Sequence, residues 1–288
     1  MKLAFSTLGV PGMPLPEVVR LAADHGYQGV ELRAHPEEPV HLGLSSLERA
    51  DAVEAFKAAG VEILTVAGYV QVAAEGDDEA VSAELAELLK LARDLGARYV
   101  RVFPGGGDQD PADADATAAR RLGSAAPAAA DMGVTILLET HDSHRAGADV
   151  ARIAGTVGHP RVGAVWDVLH TWLADEDPTA THAILAPHLG YVQVKDVASP
   201  TDLTPSPWAP VPSPCPPAWN CWTPTPGSAG STKSAGTRPR PTSRPSSARA
   251  GSTCCGWGLR RGRGRLPTPP TVMLLTDRMP GFDCLMSP

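Results

Sequence analysis

Four glycines set the period of this chain. Gly26, Gly60, Gly96 and Gly133 lie 34 to 37 residues apart, and each separates a helical pattern from the short β-branched run that follows it. Glycine ends a helix in the left-handed conformation at least steric cost, so this regular spacing marks a repeated helix-to-strand junction. The runs read as strands over Leu3–Ser6, Gly29–Arg33, Glu62–Val66, Tyr99–Phe103, Thr135–Glu139, Gly163–Asp167 and Tyr191–Lys195. Between them, Leu15, Val18, Val19 and Ala22 mark one apolar helix face, and Leu85, Leu88, Leu89 and Ala92 mark another, both at i, i+3, i+4, i+7. Strands alternating with crossover helices imply a parallel sheet with helices outside it.

Seven strands fall one short of a closed α/β barrel, and the chain changes character where the eighth is due. Residues 200–288 hold all five cysteines, 18 of the 29 prolines, no glutamate, and ten Lys/Arg against three Asp. This stretch therefore carries about +7, and the total of −7 leaves about −14 for the residues before it. A basic, Pro/Ser/Arg-rich tail is ordinarily a disordered arm for nucleic acid or anionic lipid. Four tryptophans and the Cys254-Cys255 pair are foreign to such arms.

The genetic code supplies another reading, in which the last base of each codon joins the first two of the next, as after a one-base deletion. Trp219-Asn220-Cys221-Trp222-Thr223 then becomes Glu-Leu-Leu-Asp, and Gly227 to Lys233 permits Phe-Gly-Gly-Leu-Tyr-Glu. The first is an amphipathic helical stretch and the second has the Gly-bounded strand spacing of the preceding repeats. The expectation is therefore a (β/α)8 TIM-barrel type fold over 1–203, with seven βα units present. Residues 204–288 are expected to be an out-of-frame, disordered tail in which strand eight is lost, leaving two unpaired sheet edges and low solubility. A doubly wound open sheet would carry a GxGxxG turn after its first strand, and none occurs.

The first 214 residues contain no cysteine, which excludes disulfides and thiolate metal sites there, and the later cysteines lack CxxC spacing. No apolar run reaches the 18 residues of a membrane span, and Met1 to Phe5 lead directly into a strand, so the cytoplasm is the expected compartment. Gly105-Gly106-Gly107 could approach a phosphate through backbone N–H groups. Asp108, Asp110, Asp113 and Asp115 follow and would repel it, so a plain loop is expected there.

Barrels of this kind place chemistry at the carboxyl ends of their strands. Here those ends carry Glu31 on the second strand, Arg101 in the fourth, Glu139 and His141 on the fifth, Asp167 and His170 on the sixth, and Gln193 and Lys195 on the seventh. Singly, Glu139 or Asp167 could cap a following helix, His141 or His170 could sit in a surface loop, and Lys195 could snorkel to water. Together they put oxygen donors from successive strands on one rim, a set that suits Mg2+ or Mn2+ better than a structural zinc.

Val30-Glu31-Leu32-Arg33, Leu138-Glu139-Thr140-His141, Trp166-Asp167-Val168-Leu169-His170 and Val192-Gln193-Val194-Lys195-Asp196 resemble the sugar phosphate isomerase/epimerase family, with its xylose isomerase-like TIM barrel. The resemblance spans Met1 to about Thr204. It implies a divalent metal held by Glu139 and Asp167, with Gln193 standing where the family often has His. A final Glu would come from strand eight, and the shifted frame permits one at the Thr232/Lys233 junction. It further implies proton transfer through an enediolate, with Glu139 as ligand and acid/base. His141, His170 and Lys195 would hold hydroxyls or phosphate, and Arg101 and Glu31 would be additional substrate contacts.

The implied substrate is a small sugar or polyol, with no nucleic-acid or membrane partner, and a homodimer of the intact parent is compatible with the sequence. Two alternatives stay open: a lyase on the same barrel, such as a keto-inositol dehydratase, and an inactive, non-enzymatic remnant.

Overall fold

The computed structural model describes residues 2–195, 197–199, 201–205 and 271–275. Seven parallel strands follow the expected order: β1 (Lys2–Ser6), β2 (Gly29–Arg33), β3 (Glu62–Gln71), β4 (Tyr99–Phe103), β5 (Thr135–Glu139), β6 (Val162–Asp167) and β7 (Leu189–Lys195). Outside them run α1 (Leu15–Asp24), α2 (Ser46–Ala58), α3 (Asp78–Asp94), α4 (Pro111–Asp131), α5 (Gly147–Val157), α6 (Val168–Leu173) and α7 (Pro178–Leu185). The four periodic glycines all adopt φ between +69° and +72°, which is why they punctuate the sequence so regularly. Of the expected helix faces, Val18, Val19 and Ala22 are buried on α1, and Leu85, Leu88, Leu89 and Ala92 on α3. Helix starts are chemically marked as well. Ser45 and Glu48 form a reciprocal capping box on α2, and Asp77, Asp110 and Asp177 cap α3, α4 and α7.

β1, β6 and β7 begin one or two residues before the expected starts, and two larger differences stand out. β3 continues five residues past Val66, through Gly68, where the absence of a Cβ lets Leu88 of α3 pack close. The eighth place of the barrel is not vacant. After the short antiparallel pair β8 (Val197–Ser199) and β9 (Asp202–Pro205), strand β10 (Thr271–Leu275) pairs in parallel with both β7 and β1 and closes the barrel. The two unpaired edges expected from the loss of strand eight are thus corrected. The slot between β7 and β1 offers a hydrogen-bond ladder on each side, and ladders are formed by backbone groups. A β-branched and apolar run, Thr271-Val272-Met273-Leu274-Leu275, bounded by Pro269-Pro270, has the composition to take it. The rest of the expectation for residues 204–288 falls, apart from residues 204–205 and this strand, outside the described residues.

The barrel interior locates the functional rim. Ala4, Leu64, Leu137, Val165 and Tyr191 form a buried cluster with Tyr99 packed against it. Four of the five come from alternate strands β1, β3, β5 and β7, the arrangement of a side-chain layer in a barrel of this class. Side chains two residues apart on a strand share a face. The step beyond Leu137 is therefore Glu139, beyond Val165 is Asp167, beyond Tyr99 is Arg101, and beyond Tyr191 is Gln193 and then Lys195. The apolar layer hands over to a polar one toward the carboxyl ends of the strands.

Candidate active site

Glu31, Arg101, Glu139, Asp167 and Gln193 are all buried at this level, none more than 5% exposed. Charges so placed must be paired. Arg101 Nε lies 3.0 Å from Glu139 Oε2, and Lys195 Nζ lies 2.8 Å from Asp167 Oδ2. The Arg101 guanidinium also donates Nη1–H to the Gly68 carbonyl at 2.8 Å and stacks 4.0 Å from the Phe103 ring centre. Glu31 is held differently. It accepts Tyr191 Oη–H at 2.5 Å and Gln193 Nε2–H at 3.3 Å. With its nitrogen committed to Glu31, Gln193 turns its Oε1 the other way.

Asp167 divides its two oxygens. Oδ1 accepts from the Leu169 N–H and caps α6, while Oδ2 is the atom beside Lys195. The helix-cap role and the rim role are thus held by one side chain. Thr140 pins the strand end, donating Oγ1–H to the Asp167 carbonyl and accepting the Asp167 N–H. Glu139 caps nothing, since α5 begins at Gly147 with Ala146 as its N-cap.

Electrostatics at the rim follow from burial. Glu139 is pushed up to about 7, chiefly because its charged form is desolvated, with Arg101 opposing and Asp167 adding to the rise. Burial also drives His170 down to about 4, so its ring is neutral at ordinary pH. The Tyr191 phenol is raised well above its usual range by burial and by Glu31. Burial works against the charge on Arg101, yet Glu139 and Glu31 outweigh it and its pKa is raised.

The residues fit a divalent cation. Glu139 Oε2, Asp167 Oδ2 and Gln193 Oε1 are buried acceptors that receive no hydrogen bond, the first two lying in ion pairs with Arg101 and Lys195. Such oxygens from successive strands β5, β6 and β7 are the donor chemistry of Mg2+ or Mn2+, and of Zn2+ with carboxylates. The strand-eight carboxylate of the sequence reading has no counterpart in β10, whose residues are Thr, Val, Met, Leu and Leu.

Of the residues marked in the sequence, the structure brings together Glu31, Arg101, Glu139, Asp167, Gln193 and Lys195 through these contacts. His141 and His170 stack at the edge, their ring centres 4.0 Å apart. Gly106 does not serve a phosphate: its N–H donates to Ser143 Oγ, whose neighbour His144 reaches Asp115. Sequence reading missed Tyr191 and Phe103, although both lie two residues from a marked position on the same strand face, which is signal enough. A cavity of about 300 Å3 lined by His35, His41, Gly68, Tyr69 and Leu88 shares Gly68 and Tyr69 with the Arg101 surroundings but none of the carboxylates.

Comparison with solved structures gives the same fold. The probable 3-DHS dehydratase AsbF from Bacillus anthracis aligns with TM-score 0.61 and 21% identity over 70% of this chain and 75% of its own. The IolI protein with a bound zinc atom aligns with TM-score 0.61 and 20% identity over 69% and 74%. D-psicose 3-epimerase in the presence of D-fructose gives TM-score 0.61 and 18% identity over 68% and 73%. No curated protein matches the chain in sequence. The family model described as xylose isomerase-like TIM barrel matches residues 19–210, well over half the chain and every strand from β2 to β7. By that match, and by a closed barrel with its polar rim at the carboxyl strand ends, the chain belongs to the xylose isomerase-like TIM barrel family.

Proposed function

We propose that this rim is the site of a divalent-metal-dependent enzyme of the sugar or sugar-phosphate isomerase/epimerase kind, working by proton transfer beside a carbonyl and impaired in this chain for inversion of a carbon. The carrying observation is the trio of buried oxygens on Glu139, Asp167 and Gln193 that accept no hydrogen bond. Similar structures that include a sugar epimerase and a zinc-bound protein support it. A cation held there would supply Lewis-acid polarisation of a carbonyl oxygen.

The chain's own residues do the rest. Glu139 takes the proton from the carbon next to the carbonyl and returns it. The enediolate so formed gains from the cations Arg101 and Lys195 nearby. Glu31 and Tyr191 keep Gln193 Oε1 turned away from the Glu31 carboxylate. His141 and His170 are placed at the rim to meet substrate hydroxyls or phosphate.

The eighth strand carries no acid/base residue, so among the described residues Glu139 is the one placed to move the proton. It can remove and return a proton on one face of the substrate but cannot invert a carbon. The test is incubation of the full chain with a ketose such as D-fructose in D2O with Mn2+, followed by NMR. Deuterium wash-in without epimer formation, abolished by Glu139→Gln, is expected. Absence of wash-in across ketoses and their phosphates under Mn2+, Mg2+ and Zn2+ would refute the reading.

The similarity to a dehydratase keeps elimination as a second outcome of the same proton abstraction. Loss of water would announce itself as a new ultraviolet absorption from the conjugated product, with no deuterium-labelled starting sugar.

A further inference from the structure

His141 and His170 do more than line the rim. One ring nitrogen of each and one carboxylate oxygen of Glu139 lie within 4.8 Å of one another. Donors at about 2.0–2.2 Å from a tetrahedral ion stand roughly 3–4 Å apart, so the three need little movement to share one. The His141 ring is held from behind, with Nδ1 against Asp142 Oδ1 and its face against Phe103 at 4.6 Å between centres. A carboxylate that accepts from Nδ1 leaves Nε2 with the lone pair, the arrangement in which histidine serves as a metal ligand. Asp142 adopts φ +47°, a left-handed backbone that aspartate tolerates better than most non-glycine residues. His170 lies in the short helix that Asp167 caps, its Nε2 4.0 Å from Asp167 Oδ2.

We propose that Glu139, His141 and His170 form a second cation site, sharing Glu139 with the oxygen set but using imidazoles in place of Asp167 and Gln193, that takes a late first-row divalent ion such as Zn2+ or Co2+. Two imidazoles and one carboxylate are the three-ligand complement of an open zinc-type site, whose fourth position is left for water or a substrate oxygen. Asp142 is a positioning residue for it, acting through the His141 ring. The site needs only these three donors and does not depend on the isomerase reading.

The full-length chain, stripped with a chelator, is titrated with Co2+, following the ligand-field absorption of the bound ion and its dissociation constant. Mn2+ binding is followed separately by EPR. His170→Gln and His141→Gln should abolish the nitrogen-ligated Co2+ spectrum, and Asp142→Asn should weaken Co2+ binding about 10- to 100-fold. Asparagine tolerates the left-handed backbone, so this last variant tests the site even if a histidine variant fails to fold. Co2+ binding that survives Gln193→Ala supports the second site, even where no Mn2+ binds and the isomerase reading falls. Unchanged Co2+ affinity in Asp142→Asn and in both histidine variants, with wild-type circular dichroism, overturns the proposal. Equal loss of Co2+ binding in Gln193→Ala overturns it too, by placing the ion on the oxygen set.

Discussion

Glu139 and His170 tilt the stability of the metal-free protein in opposite directions over the same pH range. For Glu139 the folded pKa of about 7 lies above its ordinary 4.5, so the native state keeps a proton that the unfolded chain has released. Its contribution is fully present below pH 4.5 and is lost as pH rises through 7, a change of about 3 kcal/mol. For His170 the folded pKa of about 4 lies below the ordinary 6.5, so the unfolded chain binds the extra proton. Its contribution is present above pH 6.5 and is lost as pH falls through 4, again about 3 kcal/mol. The two slopes largely cancel in the wild type. Glu139→Gln removes the falling slope and should leave stability that rises with pH by about 3 kcal/mol, while His170→Gln should leave stability that falls by a similar amount. Arg101 stays charged throughout, so its loss of a partner in Glu139→Gln shifts that profile without tilting it. Urea unfolding in the presence of EDTA, at a series of pH values between 4.5 and 7, measures all three proteins. Groups common to all three drop out of the differences. Parallel profiles would refute the argument, since they would mean that neither burial shifts a proton equilibrium.

Arg101→Met removes the cation beside buried Glu139 and should cost about 3–5 kcal/mol above pH 7, shrinking in acid where Glu139 is neutral; a cost that does not change with pH contradicts the pairing. Tyr191→Phe strips Glu31 of its shortest hydrogen bond and should lower stability by about 1–3 kcal/mol in urea unfolding, a neutral result showing that Gln193 alone satisfies the carboxylate. In Gly68→Ala the new Cβ would stand 2.2 Å from Leu88 Cδ2, an overpacking of about 1–3 kcal/mol that Leu88→Ala should partly relieve in a double-mutant cycle. Resequencing the gene across codons 195 to 235 should find one missing base near Thr204; an unchanged frame refutes the out-of-frame account of the residues beyond it.

Local chemistry alone determined a good deal. The glycine period, the β-branched runs and the i, i+3, i+4, i+7 faces are short-range properties, so β2, β4 and β5 begin and end where the sequence puts them. The strand ends so located put Glu139, Asp167, Gln193 and Lys195 on one rim. Contacts between distant segments were decided only by the tertiary structure. That Glu31 answers to Tyr191, 160 residues away, and that Arg101 lies against Glu139, depends on which strands become neighbours in a closed sheet. That β3 runs on past Val66 through Gly68 depends on a leucine of another element packing against the glycine. The eighth strand was least legible of all. Its place is defined by two unsatisfied backbone ladders, on β7 and β1, and a backbone ladder leaves no requirement for a particular residue to be read in the sequence.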